Sequence, residues 1–335
     1  MSIRPLRAAL AVLPMFIAVT AVACTPANTV ESGLVVDGLH VSVHYSAQPS
    51  QAAARPLVLA LHGLGSTGAQ FEKDTGLDSF ADAHGFVVAY PDAHVAPYVP
   101  TAPSPSPSTS PDPDPSAAPS ASPAPTASPT PDATPTHFAA GSLSRQRAQL
   151  ASTFVEGLNA RDTTSTQRAW NAGDCCGAST ADDVTYLRHV VSAVARQTKI
   201  DLHRVYVIGL SNGGMMALRA ICDAPAVFAA AGSVAGPYLG KTCARPVWTH
   251  LHGAQDPVVP YLGGVPPGSA FLSVAPDWCL CSFPNSTTEP ARFSAATVSV
   301  TIVAHGVHDW PRLKDGAWNL DGNAALWKFV SRYHH

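Results

Sequence analysis

The stretch Val205-Tyr206-Val207-Ile208-Gly209-Leu210-Ser211-Asn212-Gly213 decides how the rest of this chain is interpreted. Four apolar residues lead into a G-x-S-x-G motif, and a second apolar stretch, Met215 to Ile221, follows it. That order predicts a strand, a sharp turn and a helix, the context in which this motif becomes a nucleophile elbow. The turn would strain Ser211 and expose its hydroxyl, while the glycines let neighbouring backbone pass close by. The alternative is an ordinary turn serine.

Two downstream segments supply an acid and a base. Asp256 follows the apolar stretch Pro246 to Leu251, and His308 follows the β-rich run Thr297 to Ala304. An aspartate just past a strand end suits the acid of a triad, and the chain order Ser, Asp, His is that of α/β-hydrolases. His308 would take the proton of Ser211 during attack on a carbonyl, and Asp256 would fix the imidazole tautomer.

An upstream segment suits an oxyanion loop. The apolar run Leu57 to Leu61 ends in His62-Gly63-Leu64-Gly65-Ser66. The backbone N–H groups of Leu64 and Asn212 are the predicted donors to the oxyanion, and one such donor is worth about 3–4 kcal/mol of barrier. His62 is interpreted as a residue that orders this loop through hydrogen bonds, and not as a catalyst.

The acid and the base have competitors in the sequence. Asp256 could instead start a turn before Pro257. The other carboxylates near the predicted site are Asp223, Asp277, Asp309 and Asp315. The chain has 14 histidines, and those that compete with His308 are His250, His252 and His305. The pair Asp182-Asp183 precedes an apolar periodic stretch and is interpreted as a helix start.

The 335 residues are enough for one sizeable domain, with a net charge of −3 and no basic patch that would suggest a nucleic acid partner. Strands alternating with helical stretches predict an α/β fold, with a mostly parallel central sheet and helices on both faces. A hairpin is predicted over Gly33 to Tyr45 and one helix over Phe71 to His84. The domain, 34–335, is interrupted by 99–136, a Pro/Ser/Ala-rich segment expected to be a disordered insertion.

The N-terminus has the pattern of a targeting segment. Positive charge precedes the apolar core Ala8 to Val22, and Ala21-Val22-Ala23-Cys24 resembles a bacterial lipobox. Residues 1–23 are therefore predicted to be a lipoprotein signal peptide and 24–33 a tether, with a lipid on Cys24 anchoring the protein to the outside of the cell membrane. The alternatives are a plain secretory signal or an uncleaved membrane anchor, and each of them exports the protein.

The cysteine count agrees with export. When Cys24 is set aside, six of the 7 cysteines remain, namely Cys175, Cys176, Cys222, Cys243, Cys279 and Cys281. An even count in an exported chain predicts three disulfides. The adjacent Cys175 and Cys176 are expected to reach distant partners, because a ring between neighbours is strained. Metal binding is the alternative, but Cys-Cys and Cys-x-Cys are not zinc-ribbon spacings, so no metal is expected.

Four segments together resemble the secreted polyhydroxybutyrate depolymerase and feruloyl esterase group of α/β-hydrolases. They are Trp170-Asn171 with Asp174-Cys175-Cys176-Gly177, the elbow Gly209 to Met216, the acid loop His252 to Tyr261, and Gly306 to Pro311. The last segment selects His308 over the other histidines. The resemblance also supports an oxyanion donor at Leu64.

The resemblance implies an exported serine carboxylic-ester hydrolase that works through an acyl-enzyme, without a cofactor, on small-molecule or oligomeric esters. Trp310 and Trp170 could line an aromatic substrate groove or pack in the core. Two other functions stay open. The chain could be an inactive binding lipoprotein on a hydrolase scaffold, or a peptidase or amidase that uses the same triad.

Overall fold

The structure is a computed structural model that describes residues 30–46, 53–96, 167–173, 180–264, 282–293, 297–313 and 316–335. Several predictions fall outside these residues: the signal peptide with Cys24, the insertion at 99–136, and the cysteines Cys175, Cys176, Cys279 and Cys281.

A mixed eight-stranded sheet forms the centre of the molecule. Its eight strands are β1 (Val30–Val36), β2 (Leu39–Tyr45), β3 (Arg55–Leu61), β4 (Val87–Pro91), β7 (Ile200–Leu210), β8 (Ala230–Val234), β9 (Trp248–Gly253) and β10 (Val298–Val303). The two short strands β5 (Val95–Ala96) and β6 (Gln167–Arg168) pair with each other in a separate ribbon. The order is β1-β2-β4-β3-β7-β8-β9-β10. The strands from β4 to β10 in this order pair in parallel, and β1 and β2 add an antiparallel hairpin at one edge.

Helices cover both faces of the sheet, as predicted. They are α1 (Gly68–Thr75), α2 (Leu77–His84), α3 (Asp183–Gln197), α4 (Asn212–Asp223), α5 (Glu289–Arg292) and α6 (Gly322–Val330), with a 3-10 turn at Ser286–Thr288. Side chains of β3 alternate between two cores, with Leu59 in the core under α3 and α4 and Val58 in the core under α1, α2 and α6. This parallel α/β core brings the carboxyl ends of β3, β7, β9 and β10 to one edge of the sheet.

Local sequence explains where elements begin and end. The predicted hairpin is present with Asp37 and Gly38 at its turn, at φ values of 50° and 82°, which suits a tight two-residue turn. It starts at Val30, earlier than predicted, and so includes residues assigned to the tether. Asp182 caps α3 by accepting a hydrogen bond from Thr185 N (3.0 Å), which confirms the predicted helix start.

The predicted single helix over Phe71 to His84 is wrong, because two helices occupy this segment. Gly76 adopts a left-handed conformation, with φ 58° and ψ 26°, and its N–H donates to Glu72 O. A left-handed glycine commonly ends a helix. Leu77 then starts α2, and both helices bury apolar side chains in the core on this face of the sheet.

Among the described residues, two of the six candidate cysteines, Cys222 and Cys243, form a disulfide, a pairing that the sequence left open. Because it closes a loop with a sequence separation of 21, replacing both cysteines by alanine is expected to lower the free energy of unfolding. The expected loss is about 3 kcal/mol. Guanidinium unfolding of the double variant beside the parent measures it, and an unchanged midpoint would contradict the stabilising role.

Among the described residues, none of the helices combines the length and the apolar character that crossing a membrane requires.

Candidate active site

Ser211 occupies a sharp turn between β7 and α4, as the motif predicts. Its backbone has φ 55° and ψ −123°, a region that residues with a side chain rarely adopt. The Ser211 N–H donates to Val234 O (2.8 Å), and the Ser211 carbonyl accepts from Met215 N (2.9 Å). Hydrogen bonds to β8 and α4 therefore hold the strained conformation, which places the hydroxyl at the carboxyl edge of the sheet.

The glycines around Ser211 are required by close backbone contacts. A Cβ atom at Gly209 would lie 2.4 Å from Gly213 O, and one at Gly213 would lie 2.3 Å from Leu61 O. A Cβ atom at Gly236 would lie 2.4 Å from Ser211 O. These contacts are far shorter than van der Waals distances, so larger residues would push β3 or the elbow out of place.

The elbow glycines offer a matched stability test. Gly213→Ala is expected to lower the free energy of unfolding by about 2–3 kcal/mol, because the added methyl group meets backbone atoms that have no room to move. Gly63→Ala is the control, because its Cβ would sit at ordinary contact distance, 3.6 Å from Ser211 Cβ. Denaturant unfolding of both variants measures the difference. Equal stabilities would show that the close approach is not a constraint.

Asp256 and His308 are brought together as predicted. Asp256 Oδ2 accepts a hydrogen bond from His308 Nδ1 at 2.8 Å. Asp256 Oδ1 accepts from the backbone N–H groups of Val258 (2.8 Å) and Val259 (2.9 Å). These bonds turn the carboxylate toward His308, and both side chains are buried. The alternative interpretation of Asp256 as a turn residue is also true locally, because its Oδ1 closes the turn while its Oδ2 holds the histidine.

The charge of Asp256 is set by opposing effects. Burial by itself raises the pKa of the carboxyl group. The neighbouring charge of His308 and hydrogen bonds from His252 and His308 outweigh burial, and they hold the pKa of Asp256 well below its usual range. The carboxylate therefore stays ionised at neutral pH and fixes the proton on His308 Nδ1.

His62 orders the loop after β3. Its Nδ1 donates to Gly63 O (2.7 Å), and its Nε2 accepts from Ala93 N (3.0 Å). The side chain is fully buried, and burial lowers the pKa of His62 to about 4. A buried neutral imidazole with both nitrogens engaged fits a loop-ordering residue, which agrees with the interpretation from sequence.

This histidine should make the fold sensitive to acid. Between pH 6.5 and about 4 the unfolded chain binds a proton at His62 that the folded protein does not, so stability falls as the pH falls through this window. At pH 5 the loss from this group is about 2 kcal/mol. His62→Gln should flatten that part of the pH dependence, while other buried histidines contribute equally to both proteins. Unfolding curves from pH 7 to pH 5 that shift in parallel for parent and variant would contradict this.

Asn212 connects the elbow to the segment around Trp170. Asn212 Oδ1 accepts from Trp170 N (2.7 Å), and Asn212 Nδ2 donates to Trp170 O (3.1 Å). The indole of Trp170 donates from Nε1 to His62 O (2.9 Å). Trp170 therefore ties the predicted oxyanion loop to the start of α4.

The two tryptophans proposed for a substrate groove are both core residues, so the packing alternative is correct in this structure. Trp170 is 0% exposed and Trp310 is 1% exposed. The Trp310 ring packs edge-on against Phe71, and its Nε1 donates to Asn323 Oδ1 at 2.9 Å. With their rings covered and their N–H groups bonded inside the protein, these side chains have no surface left for a substrate.

A cluster of buried polar side chains, formed by His250, His252 and Glu289, lies next to Asp256. The sequence indicates His250 and His252 only as bases that compete with His308, and it gives no signal for Glu289. Glu289 is 0% exposed and accepts hydrogen bonds from Tyr238 N (2.8 Å), His250 Nδ1 (3.1 Å) and Trp248 Nε1 (3.2 Å). No motif in the sequence points to Glu289, since it reaches β9 from a short helix far along the chain.

Among the described residues, no cluster of three or more His, Cys, Asp or Glu side chains is arranged to hold a metal ion.

The fold and the elbow define an α/β-hydrolase. A solved structure described as native pOPH shares the fold, with a TM-score of 0.50 and 13% identity over 92% of this chain and 89% of that one. The sequence model of the esterase PHB depolymerase family matches residues 139–247, a segment that contains the elbow and ends before Asp256. Over this segment the chain is similar to the polyhydroxybutyrate depolymerase- and feruloyl esterase-like hydrolases that its motifs resemble.

Two curated relatives are esterases by name. Feruloyl esterase B of Piromyces equi is 37% identical over 106 residues, which are 29% of this chain and 19% of that protein. NocK of Nocardia uniformis subsp. tsuyamanensis, named as an esterase, is 26% identical over 246 residues, which are 71% of this chain and 51% of that protein. The chain therefore spans less than two thirds of the length of these relatives.

Proposed function

We propose that this chain is an exported carboxylic-ester hydrolase that uses Ser211, His308 and Asp256 as a catalytic triad and forms an acyl-enzyme. The observation that carries the proposal is the 2.8 Å hydrogen bond from His308 Nδ1 to Asp256 Oδ2. The loops that bear these two residues follow β9 and β10, which run parallel to the elbow strand β7 in the same sheet. The elbow and the histidine–aspartate pair therefore share one edge.

The mechanism follows from the protonation of His308. Asp256 keeps the proton on Nδ1, so Nε2 is the basic nitrogen that takes the proton of Ser211 as its Oγ attacks the ester carbonyl. His308 then gives this proton to the departing alcohol as the C–O bond breaks, leaving the acyl group on Ser211. Water attacks the acyl-enzyme in the same way, with His308 again as the base, and releases the acid.

Two backbone N–H groups are proposed to hold the oxyanion. Asn212 is the first residue of α4, where the N–H groups have no partner within the helix and the helix dipole favours negative charge. Leu64 follows Gly63, which is a neighbour of the elbow, since a Cβ atom there would lie at ordinary contact distance, 3.6 Å, from Ser211 Cβ. Donors on both sides of Ser211 suit an oxyanion that develops on the carbonyl under attack.

Export and membrane anchoring are part of the proposal. The pattern of residues 1–23 and the lipobox-like Cys24 support a lipoprotein signal peptide. The Cys222–Cys243 disulfide supports an oxidising compartment. We further propose a single domain over 34–335 that is interrupted by the Pro/Ser/Ala-rich insertion at 99–136. Intact-mass analysis of the protein from membranes tests the anchor, because unmodified Cys24 or an uncleaved leader would contradict it.

The substrate class is tested by paired substrates. Soluble protein that begins after Cys24 is offered acetyl, 3-hydroxybutyryl and feruloyl groups, each as an ester and as the matching amide. We expect ester hydrolysis to exceed amide hydrolysis for each acyl group, and the preferred acyl group then defines the substrate class. Preference for amides would favour the peptidase or amidase alternative. A folded protein inert toward every substrate would favour the binding lipoprotein.

A further inference from the structure

His252 contacts the same carboxylate oxygen that holds His308. Its Nε2 lies 3.3 Å from Asp256 Oδ2 and 2.8 Å from Val259 O. Nε2 is in hydrogen-bond contact with the Val259 carbonyl, which can only accept, so Nε2 carries a proton, and Asp256 Oδ2 is a second acceptor close to it. The side chain is 0% exposed, and it is the partner of Asp256 on the β9 side of the acid loop.

The contact at the other nitrogen, Nδ1, indicates the tautomer and the charge of the His252 imidazole. Nδ1 lies 3.0 Å from Ser286 Oγ. Burial lowers the pKa of His252, so the imidazole is neutral and Nδ1 accepts a hydrogen bond from the Ser286 hydroxyl. A neutral ring with its proton on Nε2 is the tautomer that donates to Asp256.

The imidazole of His252 packs against a buried histidine–glutamate pair, His250 and Glu289. His250 is two residues earlier on β9, on the same side of the strand, and the two ring centroids are 5.0 Å apart. His250 Nδ1 donates to Glu289, which accepts two further hydrogen bonds. Among the described residues, the titratable groups around His252 are Asp256, with His308 on the same carboxylate oxygen, His250 with Glu289 behind it, and Tyr261, whose ring lies 6.4 Å away.

We propose that His252 is a positioning residue of the triad, whose Nε2–H holds Asp256 Oδ2 in place beside His308. An N–H dipole directed at Oδ2 offsets part of the negative charge that stabilises the imidazolium of His308. It also completes four donors around the carboxylate, two on each oxygen. This inference rests on the proposed function of Ser211, His308 and Asp256.

The test compares two replacements of His252. Phenylalanine keeps a flat ring but removes the donor, whereas glutamine places an amide N–H near the position of Nε2. For His252→Phe we expect kcat to fall roughly tenfold with KM unchanged, and the acidic limb of kcat/KM to move to higher pH by roughly half a unit. His252→Gln should recover most of both changes. A purely structural role would alter the folded fraction but leave the acidic limb where it is.

Nitrogen NMR of the imidazoles gives a readout that needs no activity. In the parent, His252 should appear as the neutral tautomer with its proton on Nε2, assigned by the signals lost in His252→Gln. A proton on Nδ1 instead would overturn the inference even if the esterase activity were established. Equally, an unshifted acidic limb in an active His252→Phe, or a His252→Gln as impaired as the phenylalanine variant, would overturn it and leave the triad standing.

Discussion

Replacing Ser211 by alanine is expected to lower kcat for ester hydrolysis about a million-fold, because the variant lacks the hydroxyl on which the proposed acyl-enzyme forms. KM should change little, since the contacts that hold the ester remain. The fold should persist, because the hydrogen bonds that hold residue 211 at φ 55° come from its backbone, to Val234 and Met215. Steady-state kinetics on the preferred ester measures the effect.

A control serine is available on the outer side of α3. Ser192 is exposed, and its hydroxyl donates to the carbonyl of Arg188 one turn earlier. Ser192→Ala should keep the kcat of the parent. If Ser211→Ala retained a tenth or more of the activity, the nucleophile would have to be another group.

Replacing Asp256 by asparagine should lower kcat about ten-thousand-fold while preserving the shape of the site. Asp256 Oδ1 faces two backbone N–H groups, so the asparagine carbonyl should take that place. The amide NH₂ group then faces His308 Nδ1, where it can only donate. His308 must accept there and carry its proton on Nε2, which leaves no base for Ser211.

The matched control is another histidine–aspartate pair away from the elbow. Asp82 on α2 lies 3.0 Å from Nε2 of the buried His44. Asp82→Asn makes the same chemical change and should leave kcat within a few-fold of the parent. Circular dichroism of both variants confirms the fold, and equal losses of kcat in the two variants would mean that the loss at Asp256 is structural.

The elbow could be predicted from sequence because its signals are local. An apolar strand, the G-x-S-x-G turn and an apolar helix lie next to one another, and the close contacts of Gly209 and Gly213 follow from that turn. The break at Gly76 was not predicted, since the apolar pattern continues through it. Whether a lone glycine ends a helix depends on how the next residues pack against the sheet.

The roles of the histidines needed the three-dimensional structure. His250, His252 and His308 all lie near strand ends, and periodicity does not distinguish them. The resemblance to an esterase family singled out His308, and the structure places its Nδ1 on Asp256. The structure also turns His252 toward the same carboxylate and buries Glu289 behind it, contacts between segments that are distant in sequence.

The central claim, that Ser211 is activated as a nucleophile, is tested most directly by labelling with a fluorophosphonate. Soluble protein that begins after Cys24 and its Ser211→Ala variant are each incubated with the reagent and weighed intact by mass spectrometry. The account predicts one adduct on the parent, mapped to Ser211, and none on the variant. A folded parent that gains no adduct, or a variant that is labelled as fast as the parent, would contradict it.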